Sequence, residues 1–289
     1  MRAVSADLAL ACACVLGEGP VWHEGYVCFV DIEGRAFLRF DPTTNECRTT
    51  RLPDRTGFAV PSAAGDWLVA QGSSLARFRP ETGDLTRVLA VEPADGTTRL
   101  NDAKPDPTGR LFAGTMDLAA TAGAGALYRV DSDRASCSRV VDDVTISNGL
   151  AWHEPTGTMY YIDTAAGGID AFDWCAETGA IRSRRRVAAV EGGVPDGMAI
   201  DSEGLLWVAI WGGSRVARID PATGQEVARI RIPCSNVTSC CFGGAGLDRL
   251  WITTARVGLS DAELAEQPQA GGLFVADVGV IGARVPKAH

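Results

Sequence analysis

The feature that most limits how this chain can fold is a pattern that recurs six times along it. Each unit has a short polar start, an apolar strand, a glycine turn, a second apolar strand and a third strand. The units begin at positions 18, 58, 101, 148, 196 and 238. A repeat of roughly 40 to 50 residues with several strands is typical of β-propeller blades. The sequence therefore predicts an all-β, six-bladed β-propeller that forms one domain over residues 1–289.

Strand and turn signals agree with this prediction. Residues 205–211 (LLWVAIW) are continuously apolar, as expected for a strand that is buried on both faces. We expect the N-terminal residues 1–16 to pair with residues 273–280 in the last blade, which closes the ring and removes an open sheet edge. Residues 261–267 are the one helical candidate. Proline and glycine in repeated segments predict outer hairpin turns at 41–42, 80–83 and 220–224.

Composition excludes several classes of partner. Hydrophobic residues make up 46% of the chain and charged residues 22%, as in an ordinary globular protein. The net charge of -9 argues against a nucleic-acid backbone as partner. No apolar stretch approaches the roughly 18 residues needed to span a membrane. Nine cysteines without a CxxC pair indicate reduced thiols in a cytoplasmic protein, which we expect to be a monomer or weak oligomer.

Polar residues at the unit starts carry the functional signal. The first strand of a propeller blade lies innermost, so matching positions on different blades converge near one level of the central channel. Two carboxylates and two amides aimed at one point would repel or stay unsatisfied without a partner. A divalent cation satisfies them, and the all-oxygen set suits Ca²⁺, Mg²⁺ or Mn²⁺, with Zn²⁺ or Fe²⁺ as alternatives. These residues are Glu18, Asn101, Asn148 and Asp196.

Other repeated polar positions are predicted to be structural. Five residues after the unit start, four blades carry a histidine or aspartate in the turn between the first two strands: His23, Asp106, His153 and Asp201. Turn histidines argue against a histidine triad or a histidine-rich zinc site. Asp31 and Asp163 recur at second-strand ends, where we expect hydrogen-bonding roles. The basic run 182–186 (RSRRR) is predicted to be a solvated strand edge or turn.

Six short motifs together resemble one known family. The sequence is similar to the gluconolactonase, regucalcin and luciferin-regenerating enzyme family, and the motifs occur in family order over nearly the whole chain. They are 16–20 (LGEGP), 99–102 (RLND), 112–116 (FAGTM), 147–149 (SNG), 195–197 (PDG) and 242–244 (FGG).

The resemblance implies a chemistry as well as a fold. It implies that Glu18, Asn148 and Asp196 bind one divalent cation, and that Arg99 and Asn101 contact substrate or a metal-bound water. The activity implied is hydrolysis of a sugar-acid lactone, such as glucono-, xylono- or arabinonolactone, to the aldonic acid. A cation polarises the carbonyl and acidifies water, and Asp196 is the candidate general base.

The substrate pocket is less clearly indicated. By repeat phase, Phe58, Met116 and Trp211 are candidates for its apolar wall. Members of the family often carry glutamates shortly after the GTM segment, where a substrate hydroxyl can bind. Here Asp117 follows Met116 directly, and residues 118–120 are Leu, Ala and Ala. Asp117 is therefore the acidic candidate for substrate contact, and the particular sugar is left open.

Two other functions remain open from the sequence. One is a metal-dependent hydrolase of other esters, such as aryl esters or organophosphates, and the other is a metal-binding propeller without activity. Catalytic motifs of different classes are missing: there is no GxSxG elbow, no GxxxxGK[ST] loop and no GxGxxG after a strand.

Overall fold

The chain folds into six small antiparallel sheets arranged as the blades of a β-propeller. This is a computed structural model, and it describes residues 2–131, 134 and 136–289. Two short N-terminal strands come first, β1 (Arg2–Ser5) and β2 (Asp7–Leu10). Apart from these two strands, the neighbouring strands within each sheet follow one another along the chain and run antiparallel. The prediction of an all-β, six-bladed propeller is confirmed.

The strands of the six blades are as follows. Blade 1 consists of β3 (Gly17–His23), β4 (Tyr26–Asp31), β5 (Ala36–Asp41) and β6 (Glu46–Arg51). Blade 2 consists of β7 (Ala59–Pro61), β8 (Trp67–Gln71), β9 (Ser74–Arg79) and β10 (Asp84–Ala90). Blade 3 consists of β11 (Thr98–Pro105), β12 (Leu111–Asp117), β13 (Gly125–Val130) and β14 (Cys137–Val144). Blade 4 consists of β15 (Ser147–His153), β16 (Thr158–Asp163), β17 (Gly168–Trp174) and β18 (Ile181–Ala189). Blade 5 consists of β19 (Val194–Ile200), β20 (Leu206–Trp211), β21 (Arg215–Asp220) and β22 (Gln225–Arg231). Blade 6 contains β23 (Val237–Gly243), β24 (Arg249–Thr254) and β25 (Leu273–Asp277).

The ring is closed by the N-terminal segment. The inner strands β3, β7, β11, β15, β19 and β23 each contact the next, and β23 contacts β3. Strand β2 is the fourth strand of blade 6 and pairs antiparallel with β25, with Asp7 opposite Val275. The predicted pairing of the two ends is confirmed. Strand β1 was not predicted: it pairs in parallel with β22 and adds a fifth strand to blade 5.

The hydrophobic core is divided among six seams between blades. Each of six buried clusters combines side chains from two neighbouring sheets. In the seam between blades 4 and 5, for example, Ile162 and Ile169 share a cluster with Val208 and Ile210. A sheet packed on both faces loses hydrophobic alternation, which explains the apolar run in β20. The outermost strands are mostly exposed, and β18 carries the basic run that was predicted to be a solvated edge.

The predicted turns and helix are also present. The three proline and glycine segments connect the third and fourth strands of blades 1, 2 and 5. The helix α1 (Asp261–Glu266) begins with a capping box, in which Ser260 and Glu263 bind each other's backbone amides. No helix among the described residues is long and apolar enough to cross a bilayer.

The repeated aspartates have the structural hydrogen-bonding roles that were predicted. Asp31 accepts hydrogen bonds from the amides of Val15 and Leu16, in the connection that enters blade 1. Asp163 does the same for the amides of residues 145 and 146, which enter blade 4. The turn aspartates are buried acceptors as well: Trp174 Nε1 donates to Asp106 and Trp207 Nε1 donates to Asp201.

Candidate active site

A bulge in the inner strand lies at the candidate residues of four blades. In blade 4, Ser147 pairs with Asp163 and Leu150 pairs with Tyr161, so the inner strand has one residue more than its partner. The same extra residue occurs in blades 1, 3 and 5, within the segments 18–21, 100–103 and 195–198. Bulges interrupt the ladder and re-aim side chains next to active sites. Glu18, Asn101, Asn148 and Asp196 all lie at these bulges.

A glycine follows the candidate ligand in three of these blades, and in two it allows close packing of neighbouring inner strands. A Cβ on Gly149 would stand 2.7 Å from the carbonyl oxygen of Asp196 in the next blade. A Cβ on Gly197 would stand 2.1 Å from Ser239 Oγ, again in the next blade. The inner strands therefore approach one another too closely for any side chain there. This explains the NG and DG pairs better than turn formation does.

The two candidate carboxylate ligands are buried and oppose each other's ionisation. Burial raises the pKa of Glu18 to about 8, and the negative charge of Asp102 adds to this shift. Burial also raises the pKa of Asp196 well above its ordinary value, and the charges of Glu18 and Asp102 raise it further. Arg99 acts in the opposite direction on both groups. These acids need a cation nearby to ionise together.

The amide of Asn148 is oriented by a neighbouring threonine. Thr164 Oγ1 donates its proton to the carbonyl oxygen of Pro195, at 2.9 Å. Its oxygen then serves as the acceptor for Asn148 Nδ2, at 2.8 Å. Because the amide nitrogen faces Thr164, Asn148 Oδ1 faces away from it and is available as a ligand. This is the way in which outer hydrogen bonds fix the ligands of a metal.

Arg99 and Asn101 form a buried pair beside the acids. Arg99 Nη1 donates to Asn101 Oδ1 at 2.5 Å, and Asn101 Nδ2 donates to the carbonyl oxygen of Ser147 at 2.7 Å. Asn101 thus connects blade 3 to the residue before Asn148. Burial lowers the pKa of Arg99 to about 10, so the guanidinium remains charged at neutral pH. Nε and Nη2 of Arg99 have no hydrogen-bond partner among the described residues, so they are free to meet a ligand.

Asp102 is not among the site residues predicted from sequence. It is the second residue of the blade 3 bulge, directly after Asn101. Burial raises the pKa of Asp102, and its charge acts on both Glu18 and Asp196. Its signal in the sequence is its place in the RLND motif, but strand alternation predicts that consecutive residues point apart. A bulge removes that alternation.

The remaining pocket candidates lie at the same end of their blades. Met116 pairs with Arg99 across β11 and β12, and directly paired side chains share one face of a sheet. Trp211 pairs with Val194, two residues before Asp196. Phe58 is buried in the seam between blades 2 and 3 and is a core residue there. Asp117 Oδ1 accepts from the amides of Ala119 and Thr121 and from the Thr121 hydroxyl, so it orders its own loop.

The donor set fits a hard divalent cation. It offers two carboxylates and one oriented amide oxygen, the ligands that Ca²⁺, Mg²⁺ and Mn²⁺ prefer. Within residues 2–131, 134 and 136–289, no three His, Cys, Asp or Glu side chains stand together as a metal-binding group. The candidate set contains only two such side chains, Glu18 and Asp196, since its third member is the amide of Asn148. Asp102 is outside the candidate set and acts on the two carboxylates through its charge.

Known proteins share this sequence pattern and this fold. The chain matches the family described as "SMP-30/Gluconolactonase/LRE-like region" over residues 16–256, which include all of the candidate residues. The chain belongs to this family. Regucalcin from Danio rerio is 40% identical over 274 residues, covering 92% of each chain.

Two solved structures of similar proteins superimpose on this chain over nearly its whole length. A calcium-binding protein, regucalcin from Agrobacterium tumefaciens, superimposes with a TM-score of 0.94 at 26% identity and covers 99% of this chain and 98% of its own. A luciferin-regenerating enzyme superimposes with a TM-score of 0.89 at 30% identity, covering 98% and 99%. Membership of the SMP-30/gluconolactonase/LRE-like family, which the sequence motifs indicated, is confirmed.

Proposed function

We propose that this protein hydrolyses sugar-acid lactones, such as glucono-, xylono- or arabinonolactone, to the free aldonic acids with one divalent cation. The observation that supports this most is the set of inner-strand bulges, which carries Glu18, Asn148 and Asp196 beside the charged Arg99. The gluconolactonase part of the family description supports the reaction class. The description of the Agrobacterium relative as a calcium-binding protein supports the cation.

The proposed ligands of the cation are Glu18, Asn148 and Asp196. When bound, a divalent cation polarises the lactone carbonyl and acidifies water, which are the two requirements of ester hydrolysis at neutral pH. The all-oxygen donors favour Ca²⁺, Mg²⁺ or Mn²⁺ over Zn²⁺ or Fe²⁺. The thiols of all nine cysteines are free, which supports a reducing compartment such as the cytoplasm.

Asp196 is the proposed general base. Its carboxylate takes a proton from the attacking water, the water oxygen bonds to the carbonyl carbon, and the bond to the ring oxygen breaks. The same proton can then pass to the ring oxygen that leaves. A base is most effective when its pKa lies near the working pH, and burial shifts the pKa of Asp196 upward in that direction.

Arg99 is proposed to hold the substrate. Nη1 is engaged by Asn101, so the guanidinium is fixed in place while Nε and Nη2 remain for the lactone. A rigid fork of donors suits a carbonyl or a pair of ring hydroxyls. Met116, which shares a sheet face with Arg99, and Asp117 are proposed to line the same substrate pocket.

The test is a proton-release assay with a panel of aldonolactones. The protein is stripped of metal and assayed before and after Ca²⁺, Mg²⁺, Mn²⁺ or Zn²⁺ is added, beside Asp196→Asn. Asp84→Asn, on the exposed strand β10, is the matched control. We expect wild type and Asp84→Asn to accelerate hydrolysis only with metal, and Asp196→Asn to lose at least about a thousandfold in rate.

Failure of the assay has a defined meaning. If no lactone is hydrolysed faster than in buffer with any metal, the lactonase proposal is wrong. Turnover of aryl esters or organophosphates would then assign the site to another ester hydrolase. Metal binding without any turnover would assign it to a non-enzymatic propeller.

A further inference from the structure

A cavity in the described part of the protein lies away from the proposed active site and is lined by none of the proposed cation ligands. It has a volume of about 430 Å³ and is lined by inner-strand residues such as Val21, Ala151 and Ala199. Each of these follows a proposed ligand by three residues. At roughly 3.3 Å per residue along a strand, the cavity lies about 10 Å further along the central channel. We call it the lower cavity.

The C-terminal segment crosses the open end of the lower cavity. The amide of Ala283 donates to Ile200 in blade 5, and the amide of Ala288 donates to Pro61 in blade 2. These blades lie on opposite sides of the ring, so residues 284–287 between them pass beneath the channel. Ala288 is fully buried in the seam between blades 2 and 3 and anchors the segment.

The walls of the lower cavity are mainly apolar, and the charges around it are mainly positive. Trp22, Trp152 and Phe242 supply aromatic surface. The basic residues are Lys104, Arg284, Lys287 and His23, and the single carboxylate in the lining is Glu24, which His23 contacts at 3.4 Å. Glu24 is already paired with Lys287, at 3.4 Å. Among the described residues no carboxylate lies within 4 Å of Lys104 or Arg284.

Lys104 separates the lower cavity from the proposed active site. Its Nζ reaches from blade 3 to the carbonyl oxygen of Met198 in blade 5, at 2.6 Å. Met198 lies two residues beyond Asp196, so the ammonium stands in the channel below the acids. An ammonium has three donors, and two remain after the bond to Met198.

We propose that the lower cavity is a second binding site, distinct from the lactone site, for a small amphipathic carboxylate. The hydrocarbon part packs against Trp22, Trp152 and Phe242, and the carboxylate meets the free donors of Lys104. The apolar walls do not suit a polyhydroxylated aldonate, because they offer few partners for buried hydroxyls. The ligand is therefore neither the substrate nor the product of the proposed reaction.

The test uses octanoate as the probe and measures binding by isothermal titration calorimetry. Octanol has the same chain without the charge, and gluconate has the carboxylate with a polar chain. We expect one octanoate to bind per chain, with octanol and gluconate at least about tenfold weaker, since a charged hydrogen bond is lost in one and apolar burial in the other. Asp196→Asn should change octanoate binding less than about twofold, because Asp196 does not line the lower cavity.

A pair of lysine variants identifies the carboxylate partner. Lys104→Met should weaken octanoate binding about tenfold and leave octanol binding unchanged. Lys287→Met is the matched control, since Lys287 is already paired with Glu24, and it should change octanoate binding little. Binding is measured without turnover, so a failure of the lactonase assay does not affect this result.

Three results would overturn the proposal. They are no octanoate binding to wild type, equal binding of octanoate and octanol, and unchanged octanoate binding by folded Lys104→Met. If Lys104→Met does not fold, as judged by its melting temperature, the comparison of the three probes on wild type decides the question.

Discussion

Three carboxylates, Glu18, Asp102 and Asp196, lie at the inner-strand bulges of blades 1, 3 and 5, and we expect them to govern how the stability of the metal-free protein responds to pH. Each has a pKa raised first by burial, and Glu18 and Asp196 are raised further by their acidic neighbours. Sites of this kind are typical of function, because structure alone would not retain unpaired acids in a core. In the absence of a cation, the burial of these acids lowers the free energy of unfolding.

The metal-free protein should become less stable as pH rises. Burial raises the pKa of Glu18 from its ordinary 4.5 to about 8. Between these values the unfolded chain is ionised at this residue while the folded protein still holds the proton. The contribution of Glu18 to stability is therefore full below pH 4.5 and is lost as pH rises through about 8. Asp196 shifts in the same direction.

The measurement is the melting temperature of metal-free protein across this pH range. We expect it to fall with rising pH in wild type and to fall less in Glu18→Gln, which cannot ionise. Addition of Ca²⁺ near pH 8 should restore much of the loss in wild type only, through binding to the folded state. Identical pH profiles for the two proteins would contradict this explanation.

The orientation of Asn148 gives a second prediction at the residue scale. Thr164→Val keeps the shape of the side chain but removes the acceptor that holds Asn148 Nδ2. We expect cation affinity to fall about ten- to a hundredfold, as for other residues that orient metal ligands. Thr164→Ser keeps the hydroxyl and should bind nearly as well as wild type. Calorimetric titration of Ca²⁺ into the metal-free variants measures this affinity. Equal affinities for Thr164→Val and Thr164→Ser would refute the orienting role of the Thr164 hydroxyl.

Some of the site could be predicted from single residues and some could not. The shared repeat phase of Glu18, Asn101, Asn148 and Asp196 predicts that they converge at one level of the channel. The family resemblance selects Glu18, Asn148 and Asp196 as the cation ligands, and that role stays a prediction. Thr164 was missed because it belongs to the connection after β16, which has no part in the inner-strand pattern. Whether Asn101, Met116 and Asp117 touch substrate stays a prediction, since that depends on a bound ligand.

At the scale of elements, the inner-strand bulge is the unit that builds the site. It occurs at the candidate residues of blades 1, 3, 4 and 5, whereas no register shift interrupts β7 in blade 2. The unit start of blade 2 is Phe58, an apolar core residue. The polar candidate residues therefore occur only in blades with a bulged inner strand. A bulge alone does not make a site, because β23 in blade 6 also has an extra residue, between Val237 and Ser239, and carries none of the candidates. The sequence shows the residues directly, but an added residue in a strand has no signal of its own.

Because the inner strands pack closely at Gly149, we expect that adding one methyl group there lowers the stability of the protein. In Gly149→Ala the new Cβ would lie 2.7 Å from Asp196 O and 2.8 Å from Met198 N, both backbone atoms. We expect a loss of about 1–3 kcal/mol in unfolding free energy, typical of overpacking. Gly246→Ala is the control, because its Cβ meets its nearest atom at an ordinary 3.6 Å.

Urea denaturation measures both glycine variants. Gly246→Ala should stay within about 0.5 kcal/mol of wild type, as do most surface changes. Gly149→Ala should also lose cation affinity, since the carbonyl of Asp196 must shift. A Gly149→Ala protein as stable as wild type would show that the inner strands are less tightly packed than described.

At the scale of the whole molecule, closure of the ring depends on the N-terminal strands. Strand β2 covers the edge of β25, and an open edge would be left without it. The six-fold period made the propeller predictable, and ring closure followed from the need to cover edges. The parallel pairing of β1 with β22 and the path of the C-terminal segment were not predictable, because neither is needed to complete a blade or to close the ring.

Two truncations separate the roles of the N-terminal strands. Removal of residues 1–5 takes away β1, which adds a fifth strand to an already complete blade 5. Removal of residues 1–10 also takes away β2 and leaves blade 6 with three strands. We expect the longer truncation to lower the melting temperature by about 10 °C or more, equivalent to several kcal/mol, and the shorter one to have a much smaller effect. Equal losses would contradict the role given to β2.

The most direct test of the active site is the location of its cation. Crystals of the protein grown with Mn²⁺ are measured for anomalous scattering, beside crystals of Asp196→Asn. We expect one strong anomalous peak in wild type, within coordination distance of Glu18, Asn148 Oδ1 and Asp196, and its loss or clear weakening in the variant. A peak elsewhere in the propeller, or none at these residues, would contradict the proposed site and with it the proposed mechanism.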